Sequence, residues 1–249
     1  MVKILAMKYS LPMLLLLLGL PLSNQAQKHV YDDLLILYVD EAYEKCIAKA
    51  ERYTDKEDTR RDPLPYLYLS MCYHEMSKLE RYTSQREYRY ADRNALKYAA
   101  LYRKKDKQKQ FVARFADYWE ELNNHAMGNG FMWYESGAFS KARRIFDRMV
   151  VYMPENPGAW RMRALCQERM NLLRDAVESR KQANEVHGAI HDLAALPKDQ
   201  RRLLRTALIL EAEYLVAEGR IAEARNVMSL GEDDFMGNAE FKALFNELN

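Results

Sequence analysis

From residue 30 onward, apolar residues return every three or four positions, the spacing that lays one stripe along a helix. The stretch YDDLLILYVDEAYEKCIAKAERY shows this pattern and ends in the charged run TDKEDTRRDP, which carries no periodicity. The same reading predicts helices over 32–53, 64–78, 90–104, 109–136, 139–153, 157–171, 173–190, 199–218, 221–229 and 238–247. Nine Gly and seven Pro punctuate 249 residues, leaving long stretches of Ala, Leu, Glu, Lys, Arg and Tyr between them. Such stretches favour helix, and little or no sheet is expected.

A second, longer period runs through the helices. Ala126 and Trp160, Gly137 and Asn171, Ala142 and Ala176, and Met149 and Ala183 are each 34 residues apart. A third copy, EYLVAEGRIAEARNVM, aligns Gly219 with Asn171 and Ala224 with Ala176 at an offset of 48, which leaves 14 residues for an insertion, GAIHDLAALPKDQR. Upstream, PLPYLYLSMCYHEMSKL supplies aromatic and small residues in matching places, and extra stretches flank Ala95. These residues resemble the tetratricopeptide repeat, a helix–turn–helix unit of about 34 residues. Gly130, Trp133, Gly137, Ala142, Phe146 and Pro154 fit its pattern in one copy, and Trp160, Ala164, Ala176 and Ala183 in the next. Asn171 stands where glycine is usual, and Arg180 where an aromatic is usual. The resemblance implies an all-α, right-handed superhelical solenoid of antiparallel helix hairpins over residues 27–249. Its best units would be about 123–156 and 157–190, with others near 30–62, 63–105 and 205–235.

Physical reasons for these residues follow from close helix packing. Facing side chains must be small for two helices to nest, so Gly130 and Ala142 are expected to meet in a notch, with Trp133, Phe146 and Trp160 filling the space around it. Gly137 is expected to end its helix in the left-handed conformation, and Pro154 with Pro157 to separate two hairpins. A stack leaves one apolar face uncovered at its end. Asn238 as N-cap, followed by Phe241, Leu244, Phe245 and Leu248 on one stripe, predicts a C-terminal capping helix.

Composition alters the picture at the N-terminus. MVKILAMKYSLPMLLLLLGLPLSNQAQ carries Lys3 and Lys8, no acid, an apolar run from Leu11 to Leu22, and small residues ending at Ala26. It reads as a secretory signal peptide over 1–26, with Met7 as an equally good start; Pro12 and Pro21 interrupt a run already short for a membrane span. No cysteine precedes Cys46, so a lipoprotein site is not expected and the mature chain reads as periplasmic or secreted, without a stable anchor. Without Lys3 and Lys8, 36 basic residues face 36 acidic ones, which argues against nucleic acid as partner. Cys46, Cys72 and Cys166 allow at most one bridge, and a Cys46–Cys72 pair stays open.

Catalytic patterns are sparse. GxSxG, a phosphate-binding glycine loop, HExxH and CxxC do not occur, so no catalytic residue, cofactor or metal is assigned. His187 and His191 offer at most half of a metal site. The basic run RKKDKQK at 103–109 and the Arg/Tyr mixture at 81–93 read as solvated turns and helix packing. What the resemblance implies for function is a groove that holds a protein or peptide, and together with the leader this reads as a non-enzymatic binding scaffold of the cell envelope. The matching positions are His74 and Glu75, then Asn124, Phe131, Tyr134 and Glu135, then Arg161, Glu168 and Arg169. Arg161 and Arg169 are suited to fork onto a carboxylate, although Glu168 equally serves to neutralise Arg161. A self-associating structural subunit and an all-helical glycan-processing enzyme are the alternatives.

Overall fold

Residues 30–249 are described by a computed structural model of the chain; the leader expected over 1–26, with Lys3, Lys8 and Met7, lies outside them. Within 31–249 the chain is helical, with no strand among the described residues. Helices α1 (Asp32–Val39) and α2 (Tyr43–Asp55) form a first hairpin; α3 (Pro63–Lys78), the single turn α4 (Glu80–Thr83) and α5 (Ala91–Lys105) form a second. They are followed by α6 (Ala116–Glu135) with α7 (Phe139–Tyr152), then α8 (Pro157–Arg169) with α9 (Leu173–Gly188). Helix α10 (Lys198–Ala217) pairs with α11 (Ile221–Ser229), and after the turn α12 (Glu232–Phe235) the helix α13 (Ala239–Leu248) lies over α11 and α10.

Among the described residues, four of the five hairpins turn in the same way. Glu41, Gly137, Asn171 and Gly219 have φ of 54°, 75°, 58° and 74°. In each, the following amide reaches back to the carbonyl five residues earlier: Ala42 to Leu37 at 2.9 Å, Ala138 to Trp133 at 2.9 Å, Leu172 to Gln167 at 2.8 Å and Arg220 to Leu215 at 2.8 Å. That bond satisfies a carbonyl the helix end would leave orphaned, and it needs a left-handed residue just before it. Gly137 behaves as expected, Gly219 takes the same conformation, and Asn171 tolerates it as its short polar side chain allows. Glu41 corrects the single helix expected over 32–53: nothing in its chemistry announces a turn, so tertiary packing holds it there. Five residues beyond each of these turns sit Cys46, Ala142, Ala176 and Ala224, all 1% exposed or less. Cys46 therefore fills the small-residue seat of the first hairpin.

The second hairpin departs from the others. Its helices are joined by residues 79–90, where Tyr82 is buried and donates to Glu44 of α2 at 3.0 Å. Helix α3 is buried on nearly every side; the Ser70 hydroxyl donates to the Ala95 carbonyl of α5 at 2.6 Å and meets the Tyr118 hydroxyl of α6 at 2.6 Å. Helix α6 begins at Ala116, not at 109, because Asp106 organises the preceding turn. Its carboxylate accepts from Tyr102 Oη at 2.5 Å and from the amides of Gln110 and Phe111 at 2.9 and 3.2 Å. The basic run at 103–109 is anchored too, since Arg103 and Lys109 both reach Glu155.

The expected notch is corrected. A Cβ on Gly130 would meet the Phe146 ring at 2.7 Å, so Gly130 makes room for an aromatic and not for Ala142. The close approach of two backbones lies at Gly158 in α8, where a Cβ would stand 2.6 Å from the Leu204 amide nitrogen of α10. Trp160 Nε1 donates to the Pro154 carbonyl at 2.9 Å across the break between hairpins. Asn238 caps α13 by accepting from the Phe241 amide at 3.0 Å, and Phe241 and Leu248 are buried below it. Two apolar cores result: one runs from Tyr31 to Ala207, the other from Leu193 to Leu248, and α10 gives Leu203 and Ala207 to the first but Leu204 and Leu208 to the second. Burying each such leucine stabilises by about 1.5–3 kcal/mol. All three cysteines are buried free thiols; the neighbouring Cys46 and burial push Cys72 far up, and burial pushes Cys166 up to about 12.

Candidate functional site

A cleft of about 490 Å³ opens between the first turns of α5 and the α6/α7 hairpin. Helical spacing sets its walls. His125, Asn129 and Trp133 repeat every four residues along α6; Lys141, Arg144 and Arg148 share one face of α7; Arg93 and Lys97 are four apart on α5. Five cations thus face two carboxylates, Asp92 and Asp147. Asp147 is already engaged, at 2.8 Å from Arg163 and 3.2 Å from Arg143. Arg144 and Arg148 have no carboxylate within ion-pair distance among the described residues and are exposed. Lys141 Nζ stands 4.0 Å from the Trp133 ring centroid, and the Arg93 guanidinium 4.5 Å from that of Tyr90. Chemically, the cleft is built to receive anionic groups attached to something with an apolar face for Trp133.

The nine residues predicted for a groove are not brought into one place. His74 and Arg161 are each 1% exposed, which corrects the expectation that they face a peptide. Asn124 accepts from Arg202 of α10 at 2.7 Å. Phe131 lies 6.0 Å from the Phe146 ring and works inside the hairpin. Tyr134 and Arg169 do come together: Tyr134 packs edge-on to Phe139 at 5.4 Å, and the Arg169 guanidinium lies 4.6 Å from Phe139 and 5.4 Å from Tyr214. Glu75 lies beside Lys78, and Glu135 is exposed at the end of α6. His187 sits in the last turn of α9 while His191 follows its end, so the pair expected on one helix face is separated by the stop at Gly188.

Arg161 and Glu168 belong to a chain of ion pairs linking α8 to α11. Arg161 donates to Glu211 at 2.8 Å and to Asn184 at 2.7 Å; Arg180 donates to Glu211 at 2.7 Å and also to Glu168; Arg220 reaches Glu168 at 2.5 Å and Glu223 at 2.7 Å. Burial alone would raise the Glu168 carboxyl, but Arg180 and Arg220 overcome it and hold the group below its ordinary value. Arg180, where an aromatic was expected by repeat matching, is the hinge of this network. Desolvation offsets much of the attraction in buried pairs of this kind, whereas removing one partner alone is costly.

Spaced cations in KARRIFDR are visible in the sequence, but their convergence with Arg93 and Lys97 is not, because α5 approaches only through the fold. Neither a family model nor a curated protein matches the chain. Among solved structures, the "TPR2AB-domain:pHSP90-complex of yeast Sti1" aligns over 86% of this chain and 82% of that one, at 12% identity and a TM-score of 0.33. A superposition that loose adds nothing to the geometry above. The repeated left-handed turns, the small residues seated five positions beyond them and the antiparallel pairing describe a stack of helix hairpins. In these respects the all-helical array resembles tetratricopeptide hairpins. A tetratricopeptide-like stack offers surfaces formed by several hairpins at once, and the cleft of α5, α6 and α7 is one of them.

Proposed function

We propose that the protein is a non-enzymatic binding scaffold of the cell envelope that holds an acidic segment of a partner protein in the cleft between its second and third hairpins. The observation that carries this reading is the charge imbalance there: Arg93, Lys97, Lys141, Arg144 and Arg148 against Asp92 and an already paired Asp147. Carboxylates of a peptide would take forked bonds from Arg144 and Arg148, and an apolar neighbour would lie on Trp133. The leader-like N-terminal sequence supports an envelope setting. Rigid hairpins contribute by fixing the cations before the partner arrives, which lowers the entropy lost on binding.

Fluorescence anisotropy with a labelled Glu-rich peptide, and a Lys-rich one of equal length as control, tests the proposal. Wild type should bind the acidic peptide, with affinity falling steeply as salt rises, and Arg144→Glu/Arg148→Glu should abolish it. Equal binding of both peptides, or no effect of the charge reversal, would refute the reading. Self-association is a second reading, favoured by Leu35, Ile36 and Val39 of α1, which are 38%, 58% and 68% exposed. A light-scattering mass independent of concentration would remove it.

A further inference from the structure

We propose that His74 and Glu75 of α3, with Glu121 of α6, form a binding site for a divalent transition-metal ion, in which the ammonium of Lys78 is the group that the metal displaces. One ligand atom from each of the three residues can be chosen so that all lie within 4.8 Å of one another. His74 Nε2 is 3.5 Å from Glu121 Oε1. The ring is 1% exposed, and neither nitrogen has a hydrogen bond of ordinary geometry, the contact to Glu121 being long, an expensive condition for a buried imidazole. A buried nitrogen without a well-formed hydrogen bond, facing a carboxylate, leaves room for a metal ion between the two.

Lys78 shows where the positive charge belongs. Its Nζ lies 2.7 Å from Glu75 Oε2 and 2.7 Å from Glu121 Oε1, so the two carboxylates already converge on a cation. The ammonium satisfies them while leaving His74 unused, since it brings only donors and one charge. A divalent ion at that point would take both carboxylates and the imidazole together, and the partly exposed lysine stem can swing into water. One nitrogen and two carboxylate oxygens suit Zn²⁺ or Co²⁺ better than Mg²⁺ or Ca²⁺, which prefer oxygen alone. Water would complete the coordination. His125 stands nearby, its ring 5.5 Å from that of His74, but its Nε2 is 2.9 Å from Asn129 Nδ2 and is not counted as a ligand. The site is separate from the cleft cations, so this inference does not depend on the proposed peptide binding.

Titration of the full chain with Co²⁺, followed by visible absorption and calorimetry, is the test. Wild type should bind one ion per chain, and Zn²⁺ should displace it. Glu121→Gln, at an exposed position that leaves packing intact, should weaken binding about tenfold or more. Lys78→Ala should tighten binding, because the competing ammonium is gone; a chance chelate of surface histidines elsewhere would show no such gain. Circular dichroism of each variant confirms that the helices persist. If wild type binds no stoichiometric ion, or Glu121→Gln binds as well as wild type, the site does not exist as described.

Discussion

Gly158→Ala sets two effects against each other. Alanine is the better helix former by up to about 1 kcal/mol, less in a first turn, so a reading from helix propensity alone expects a stabilised protein. At Gly158, however, the added Cβ would lie 2.6 Å from the Leu204 amide nitrogen, 2.7 Å from its Cα and 2.8 Å from the Leu203 carbonyl carbon. All three are backbone atoms. Reaching ordinary contact requires α8 and α10 to part by about 1 Å. Asn156 opposes that movement, since it caps α8 through the Ala159 amide at 3.1 Å and donates to the Gln200 carbonyl of α10 at 3.1 Å. Overpacking of this kind costs about 1–3 kcal/mol, so after the helix gain a net loss of about 1–2 kcal/mol is expected, or roughly 2–8 °C in Tm for a chain of this size. Gly128→Ala is the control: it lies exposed within α6 with nothing within 4 Å of its would-be Cβ, and it should raise stability by up to about 1 kcal/mol. Urea and thermal melts of the two variants should move in opposite directions. A Gly158→Ala protein that melts at or above wild type would show that the helices do not touch there.

Four further outcomes are expected. Gly130→Ala should lose stability in melts, and Phe146→Leu added to it should recover part of the loss, since the clash is with the tip of that ring. Glu41→Gly should stabilise the protein by about 1 kcal/mol, read as a higher melting midpoint, because only the wild-type residue carries a Cβ in the left-handed conformation. Glu168 has a depressed pKa when folded, so it contributes stability above its unfolded value near 4.5, lost as pH falls below that value; Glu168→Gln should flatten the acid side of a stability-versus-pH curve. Arg161→Ala should cost about 3–5 kcal/mol by leaving Glu211 short of a buried partner, and Arg161→Met with Glu211→Leu should fold better than the single variant.

Which parts were legible follows from how local each signal is. Helix stripes, the left-handed glycines and the Asn238 cap depend on neighbours a few residues away, and the chain displays them. Glu41 was invisible because a glutamate gives no warning that packing of Tyr43 and Cys46 will bend the chain there. Gly130 was correctly placed at a crowded point, yet its neighbour was misassigned: sequence registers that a side chain is missing, not what fills the gap. Gly158 escaped notice beside two prolines, where a glycine has an easier explanation. The expected groove failed at Arg161 for a similar reason. Repeat matching gave its register, whereas its burial depends on Glu211, fifty residues later and beyond the insertion. The metal candidate needed α6 to bring Glu121 to His74, a juxtaposition that spacing within α3 cannot contain.

Helix α10 gives one face to each apolar core, and this has a consequence for how the protein comes apart. In a plain linear array the terminal unit frays first and its neighbours follow in order. Here the last hairpin cannot detach without baring the seam held by Gly158 and Asn156, so amide exchange along α10 should be as slow as in the centre of the molecule. Loss of order from the C-terminal end would then halt at α11, and the remainder would melt as a single unit.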